Sequence, residues 1–200
     1  MTANPAMVPV STAPSSALGV APDGRGMRDV MSRFATGVTV LTVGGEQVHG
    51  MTANAFTSVS LDPPLVLCCV DNRAWMNAVI ATAGSFGVSV LGAEQEDVAR
   101  YFADRRRPMG DAQFADADWV PGPRTGAPVL STALAWLECD LVEVRDGGDH
   151  SIFLGQVLNI HRSDDGSALL FFGGSFGQIA PRPRLARARQ LSLVYHEGPW

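Results

Sequence analysis

From Gly50 to Pro64 the chain reads Gly-Met-Thr-Ala-Asn-Ala-Phe-Thr-Ser-Val-Ser-Leu-Asp-Pro-Pro, and between Thr52 and Ser60 nearly every side chain is a small hydroxyl, amide or methyl. Such residues are too small to build a core face, yet they are rich in donors and acceptors. Their chemistry is to let a flat ligand approach the backbone closely. A second candidate is His150, where the glycine turn of Gly147-Gly148-Asp149-His150 leads into the apolar run Ser151-Ile152-Phe153. A turn histidine taken alone reads as a solvated cap. Arg105-Arg106-Arg107 reads as a solvated loop, or as a set of guanidinium forks for a phosphate.

Other chemistries fall away on composition and context. All fifteen cations are arginine, so a Walker A loop and a pyridoxal Schiff base, which both need lysine, are excluded. A net charge of −5 argues against nucleic acid as a partner. His49, His150, His161 and His196 lack metal-ligand spacing, so no metal site is expected. Gly173-Gly174-Ser175-Phe176-Gly177 matches the Gly-x-Ser-x-Gly elbow, but Pro181 denies it the helix that must follow. It reads as a glycine turn, or as a device that brings a backbone or a ring close to a ligand. No Gly-x-Gly-x-x-Gly follows a strand, so a Rossmann site is unsupported.

The elements that must position these residues are mostly strands. Met27, Val30, Met31 and Phe34 recur at helical spacing, which predicts a short amphipathic helix from Met27 to about Ala35. Strands are expected at Val38–Val43, over the Gly50–Pro64 stretch as one returning strand, and at Leu65–Val70, an apolar run buried on both faces. Further strands are expected at Phe86–Leu91, Leu137–Leu141, Ser151–Ile160 and Ala168–Phe172. Helices are expected at Ala74–Ala83 and Glu94–Phe102, and a long loop over Ala103–Gly126. Leu137-Glu138-Cys139-Asp140-Leu141 alternates apolar with acidic, the period of a half-buried strand. With few crossover helices between strands, the architecture is mainly β: an antiparallel barrel with a few helices at its ends.

Cys68, Cys69 and Cys139 form no Cys-x-x-Cys pair and read as reduced thiols of a cytoplasmic protein. No apolar run approaches a membrane span. Residues 1–26 are Ala/Pro/Ser-rich and read as a disordered leader without signal-peptide character, and residues 181–200 as a tail.

Taken together, four stretches resemble the short-chain flavin reductase family, the reductase components of two-component flavin-dependent monooxygenases. They are Arg33–Val40, Gly50–Pro64, Gly84–Leu91 and Gly148–Val157, in the family's order, and the likeness runs over 27–180. It implies a six-stranded Greek-key split barrel, a homodimer, and NADH or NADPH oxidation that delivers reduced FAD or FMN to a separate monooxygenase. The ring would lie along Thr52, Ala53, Asn54, Ala55 and Val59, with Ser58 and Ser60 bonding the ribityl and phosphate groups. Cys69, Val70 and Asn72 would meet the flavin phosphate, although Ala74-Trp75-Met76-Asn77 replaces the family's usual serine or threonine there. Trp75 would pack on an end of the flavin, and Phe102 and the arginines after it, Arg105, Arg106 and Arg107, would border the adenosine half of FAD. Arg33, His150 and Phe176 would face the nicotinamide nucleotide. Hydride transfer would need no catalytic side chain. Two alternatives stay open: a tight FMN-binding electron carrier or flavin store, and an oxidase of the pyridoxamine-phosphate type.

Overall fold

The computed structural model describes residues 23–179. Most of the leader, the tail and His196 lie outside the described residues. In chain order the elements are α1 (Gly24–Met31), β1 (Thr36–Gly37), β2 (Thr39–Val43), β3 (His49–Ala53), β4 (Phe56–Leu61), β5 (Pro64–Asp71), α2 (Trp75–Ala83), β6 (Ser85–Val90) and α3 (Glu96–Ala103). They continue as β7 (Trp119–Pro121), β8 (Pro128–Leu130), β9 (Ala135–Gly147), β10 (His150–Arg162), β11 (Leu169–Phe172) and β12 (Ser175–Gln178).

The main sheet has seven strands in the order β3-β2-β6-β9-β10-β5-β4, antiparallel throughout. Its two edge strands, β3 and β4, are joined only by Asn54 and Ala55. Three virtual bonds reach at most about 11 Å, whereas a flat sheet of seven strands would be about 29 Å wide. The sheet must therefore curl until its edges meet at Asn54–Ala55. The single strand expected over Gly50–Pro64 is thus two strands on opposite edges, and the expected count of six becomes seven.

The curl defines two cores. Leu41, Val66, Cys68, Phe86, Val88, Cys139 and Phe153 fill the interior beneath Met76, Val79 and Ile80 of α2. Val38, Val40, Leu91, Phe102, Phe114 and Leu169 pack on the opposite face of β2 with α3. β2 is therefore buried at all five positions. Burial pushes the Cys68 and Cys139 thiols up to about 12, so both stay protonated.

Several expectations change. β5 buries Val66, Cys68 and Val70 but leaves Leu65, Leu67 and Cys69 half-buried, because its outer face has no covering layer among the described residues. Glu138, expected to face solvent, is fully buried. Its carboxylate accepts from the backbone N–H groups of Arg124 and Thr125, the Thr125 hydroxyl and the Asn159 amide at 2.8–2.9 Å. The Ala103–Gly126 loop holds a 3-10 turn at Gly110–Phe114 and strand β7. α1 starts earlier than expected, where the Asp23 carboxylate accepts from Gly26 N–H at 2.7 Å. Its apolar residues Met27, Val30 and Met31 are exposed rather than buried, as is Phe34 beyond it.

Candidate functional site

β3 is an edge strand, so one row of its backbone groups lacks a strand partner. Two side chains of the 104–114 segment take that place. The Gln113 amide accepts from Gly50 N–H at 2.8 Å and donates to Val48 C=O at 3.1 Å. The Arg107 guanidinium donates to Gly50 C=O. Gly50 therefore points its backbone away from β2, and the two-residue alternation turns Thr52 the same way. Among the described residues, side-chain pairing of this edge stops at Gly50. The next outward N–H and C=O belong to Thr52.

Thr52 borders a cleft of about 420 Å³. Met51, Ala53, Asn54 and Ala55 form one wall; Cys69, Val70 and Asp71 at the end of β5 form another. Arg73, Ala74 and Trp75 close the side where α2 begins, opposite Phe102, Ala103, Arg105, Arg107 and Met109. His150 stands across the register from Asp71 and lines the same cleft. The volume lies within the usual range for small-molecule and cofactor sites.

The electrostatics favour an anion. α2 has no side-chain cap at Ala74, so its first N–H groups open toward the cleft. Arg106 is tied to Asp104 at 3.0 Å, but Arg105 and Arg107 face the cleft. Arg107 is held by the Asp104 backbone carbonyl at 2.7 Å, with no carboxylate salt bridge among the described residues. Burial lowers its affinity for the proton, yet a guanidinium stays charged. His49 Nε2 lies 3.2 Å from Arg107. Burial first, then the Arg107 charge, pulls the His49 imidazole down to about 4, so it is neutral at pH 7. Because arginine only donates, Nε2 accepts and the proton sits on Nδ1, which is buried without a partner among the described residues. The Arg73 fork holds the Asp71 carboxyl well below the usual carboxylate range. The His150 ring, 2.7 Å from the Asp149 carboxylate, does the same to Asp149.

A smaller pocket of about 180 Å³ lies on the other side of the same wall. It shares Thr52, Ala53, Asn54 and Ala103 with the cleft and adds Val38, Phe171 and Phe176. Phe171 and Phe176 meet edge to face at 5.4 Å on the β11–β12 hairpin.

Of the residues singled out in the sequence, Thr52, Ala53, Asn54, Ala55, Cys69, Val70, Trp75, Phe102, Arg107 and His150 come together around the cleft. Ser58, Val59 and Ser60 do not; they lie on β4, with Ser58 and Val59 exposed. Asn72 is spent on the turn, donating to Gly148 C=O and accepting from the Ser151 hydroxyl, both at 2.9 Å. Arg33 is exposed beyond α1 and borders neither pocket. The trio of Arg33, His150 and Phe176 is divided, since His150 lines the cleft and Phe176 the smaller pocket. Of the three consecutive arginines, Arg105 and Arg107 line the cleft and Arg106 does not. His49 and Gln113 were missed. His49 had a signal, its place directly before Gly50; Gln113 had none.

A curled antiparallel sheet whose free edge opens a polar cleft beside an aromatic pocket defines a binder of flat, anionic, heterocyclic ligands. The chain matches the flavin reductase like domain over residues 31–180, and it belongs to that family. It is 50% identical over 162 residues to the NADH-dependent FAD reductase of Streptomyces globisporus, covering 81% of this chain and 89% of that one. It is similar to the crystal structure of BorF, the flavin reductase component of a bacterial two-component tryptophan halogenase. That match has 52% identity and a TM-score of 0.77 and covers 80% of this chain and 100% of BorF. It is also similar to the Streptomyces globisporus NADH:FAD oxidoreductase SgcE6 in complex with NAD and FAD fragments. There the identity is 48% and the TM-score 0.76, with 83% of this chain and 99% of SgcE6 covered.

Proposed function

We infer that this protein is an NADH-dependent flavin reductase that reduces FAD or FMN and supplies the product to a separate flavin-dependent monooxygenase. The observation that carries the reading is the free backbone edge at Thr52, left open beside cationic Arg105 and Arg107. The N–H and C=O of Thr52 offer a donor and an acceptor to the pyrimidine rim of the ring. Arg105, Arg107 and the uncapped start of α2 would hold the phosphates, and Trp75 and Phe102 would pack on apolar parts of the flavin. The smaller pocket would take the nicotinamide nucleotide against Phe176, with Thr52–Asn54 as the rim it shares with the cleft. Over that rim the nicotinamide ring would reach to lie directly on the flavin, the contact that hydride transfer requires. The flavin supplies the redox chemistry as hydride acceptor, and no side chain need act as acid or base. Backbone N–H dipoles at Thr52 would favour the anionic reduced ring over the oxidised one.

The seven-stranded sheet is read as the split barrel of the family, with β3 and β4 as the lips of the split. The chain is further read as a homodimer. Supporting this, Leu65 and Leu67 of β5 and Ile152 and Leu154 of β10 lie half-buried on one outer face that no element among the described residues covers.

The test is NADH turnover by the purified protein with FAD and FMN supplied in parallel. Oxidation that requires added flavin supports the reductase. A stably yellow protein inert to NADH would instead establish the FMN carrier.

A further inference from the structure

The smaller pocket is bounded on one side by a hairpin with little of its own to hold it. β11 and β12 turn at Gly173 and Gly174, both at positive φ, and among the described residues they pair only with each other and with the two residues of β1. The base of the hairpin is tied to the body, where Leu169 N–H donates to Leu91 C=O at 3.0 Å. Its tip is tied to the end of α1 by Gly173 N–H on Ser32 C=O at 2.8 Å. Phe176 lies between these ties, half-buried against Phe171 and the core around Val38 and Leu169, and its exposed part is open to a further restraint.

That restraint comes from α3. Arg100 lays its guanidinium over the Phe176 ring with 5.0 Å between the guanidinium carbon and the ring centre. The Glu96 carboxylate, one helical turn earlier, accepts from Arg100 Nε at 2.9 Å and from an Nη at 2.6 Å, which fixes the plane of the fork. The same helix grips the opposite wall, because the Thr52 hydroxyl donates to Ala99 C=O at 2.7 Å. One turn of α3 thus holds both the wall strand and the ring that faces it. The width of the pocket is set through the helix.

We propose that Arg100 is a positioning residue for the nicotinamide nucleotide, acting through Phe176 with Glu96 as its anchor. The proposal rests on the reading of the smaller pocket as the nicotinamide site. Arg100 itself touches no ligand; it lines neither the cleft nor the pocket. It differs from a merely structural surface residue in acting on one substrate and not the other.

The experiment compares wild type, Arg100→Met, Arg100→Lys, Phe176→Leu and the Arg100→Met/Phe176→Leu double variant. KM for NADH, calorimetric affinity for NAD+ and affinity for FAD are measured for each. An exposed cation–π contact corresponds to about a two- to fivefold change in affinity. Arg100→Met should therefore weaken NADH and NAD+ by that factor while kcat and FAD affinity hold. Arg100→Lys, which keeps the cation, should stay within about twofold of wild type. Once the ring is gone, removing the cation should have no further effect, so the double variant should match Phe176→Leu. If the two substitutions multiply instead, or if Arg100→Met changes nothing while Phe176→Leu weakens NADH, the proposal is overturned and the pocket reading stands. If Phe176→Leu itself leaves NADH and NAD+ unchanged, the pocket reading fails and takes the proposal with it.

Discussion

At His49 the neutral imidazole is a consequence of its neighbours, and stability should record it. The free imidazole titrates near 6.5 and the folded one only near 4. The unfolded chain therefore takes up the proton first on acidification, so the stabilisation is complete above about pH 6.5 and is lost as pH falls toward 4. The gap corresponds to roughly 3 kcal/mol at most. Urea unfolding across that window should show a loss in wild type that His49→Gln lacks; parallel curves for the two proteins would refute the neutral assignment. Arg107 makes a second residue-level claim. Its guanidinium is the half-buried cation of the cleft, and a hydrogen bond to a charged group corresponds to about 10- to 150-fold in affinity. Arg107→Met should weaken FAD by a factor in that range in a flavin titration, and unchanged affinity would remove Arg107 from the site. Arg107 was legible because three arginines in a row are a visible feature. His49 was not, because its neutrality follows from the burial and the guanidinium that the fold supplies.

At the scale of elements, the β3 edge shows what a sequence conceals. The small residues from Thr52 to Ser60 marked a place of close approach, and half of them line the cleft. The break at Asn54–Ala55 went unread because neither residue is a glycine or proline, and both flanks have strand-forming side chains. The curl that carries β4 to the far edge is a property of the whole sheet, so Ser58 and Ser60 leave the cleft wall although their local pattern continues unbroken. Glu138 went unread for a similar reason, since alternation places it outward until the 122–127 segment folds over it. Gln113 sits in what reads as loop, yet it supplies the hydrogen bonds of an absent strand. Gln113→Leu keeps much of the volume and strands Gly50 N–H and Val48 C=O. Each unpaired buried group costs about 1–3 kcal/mol, so the urea midpoint should fall clearly. Because Gly50 sets the line of Thr52, flavin affinity should fall as well. A stable variant with wild-type flavin affinity would show that the 104–114 segment does not hold the edge in register.

At the scale of the molecule, the mainly β character, the antiparallel pairing and the separate helices followed from strand spacing and short connections. What sequence pattern could not settle is which apolar surfaces one chain covers for itself. Leu65–Val70 reads as buried on both faces, and among the described residues only its Val66, Cys68 and Val70 are buried. The half-buried Leu65 and Leu67 share the outer face with half-buried Ile152 and Leu154 of β10, and together they form an apolar surface. A second copy would complete the burial that the sequence pattern calls for, and a two-fold arrangement presents the same surface from both sides. A stable interface of this kind removes about 800 Å² from each partner. The protein should therefore sediment as a dimer at micromolar concentration. Leu67→Glu, which places a charge on that face without entering the interior, should shift it toward monomer while the far-ultraviolet circular dichroism stays the same. Wild type that sediments as a monomer at micromolar concentration would leave the outer face of β5 to some other partner. A Leu67→Glu protein that remains dimeric would move the interface elsewhere.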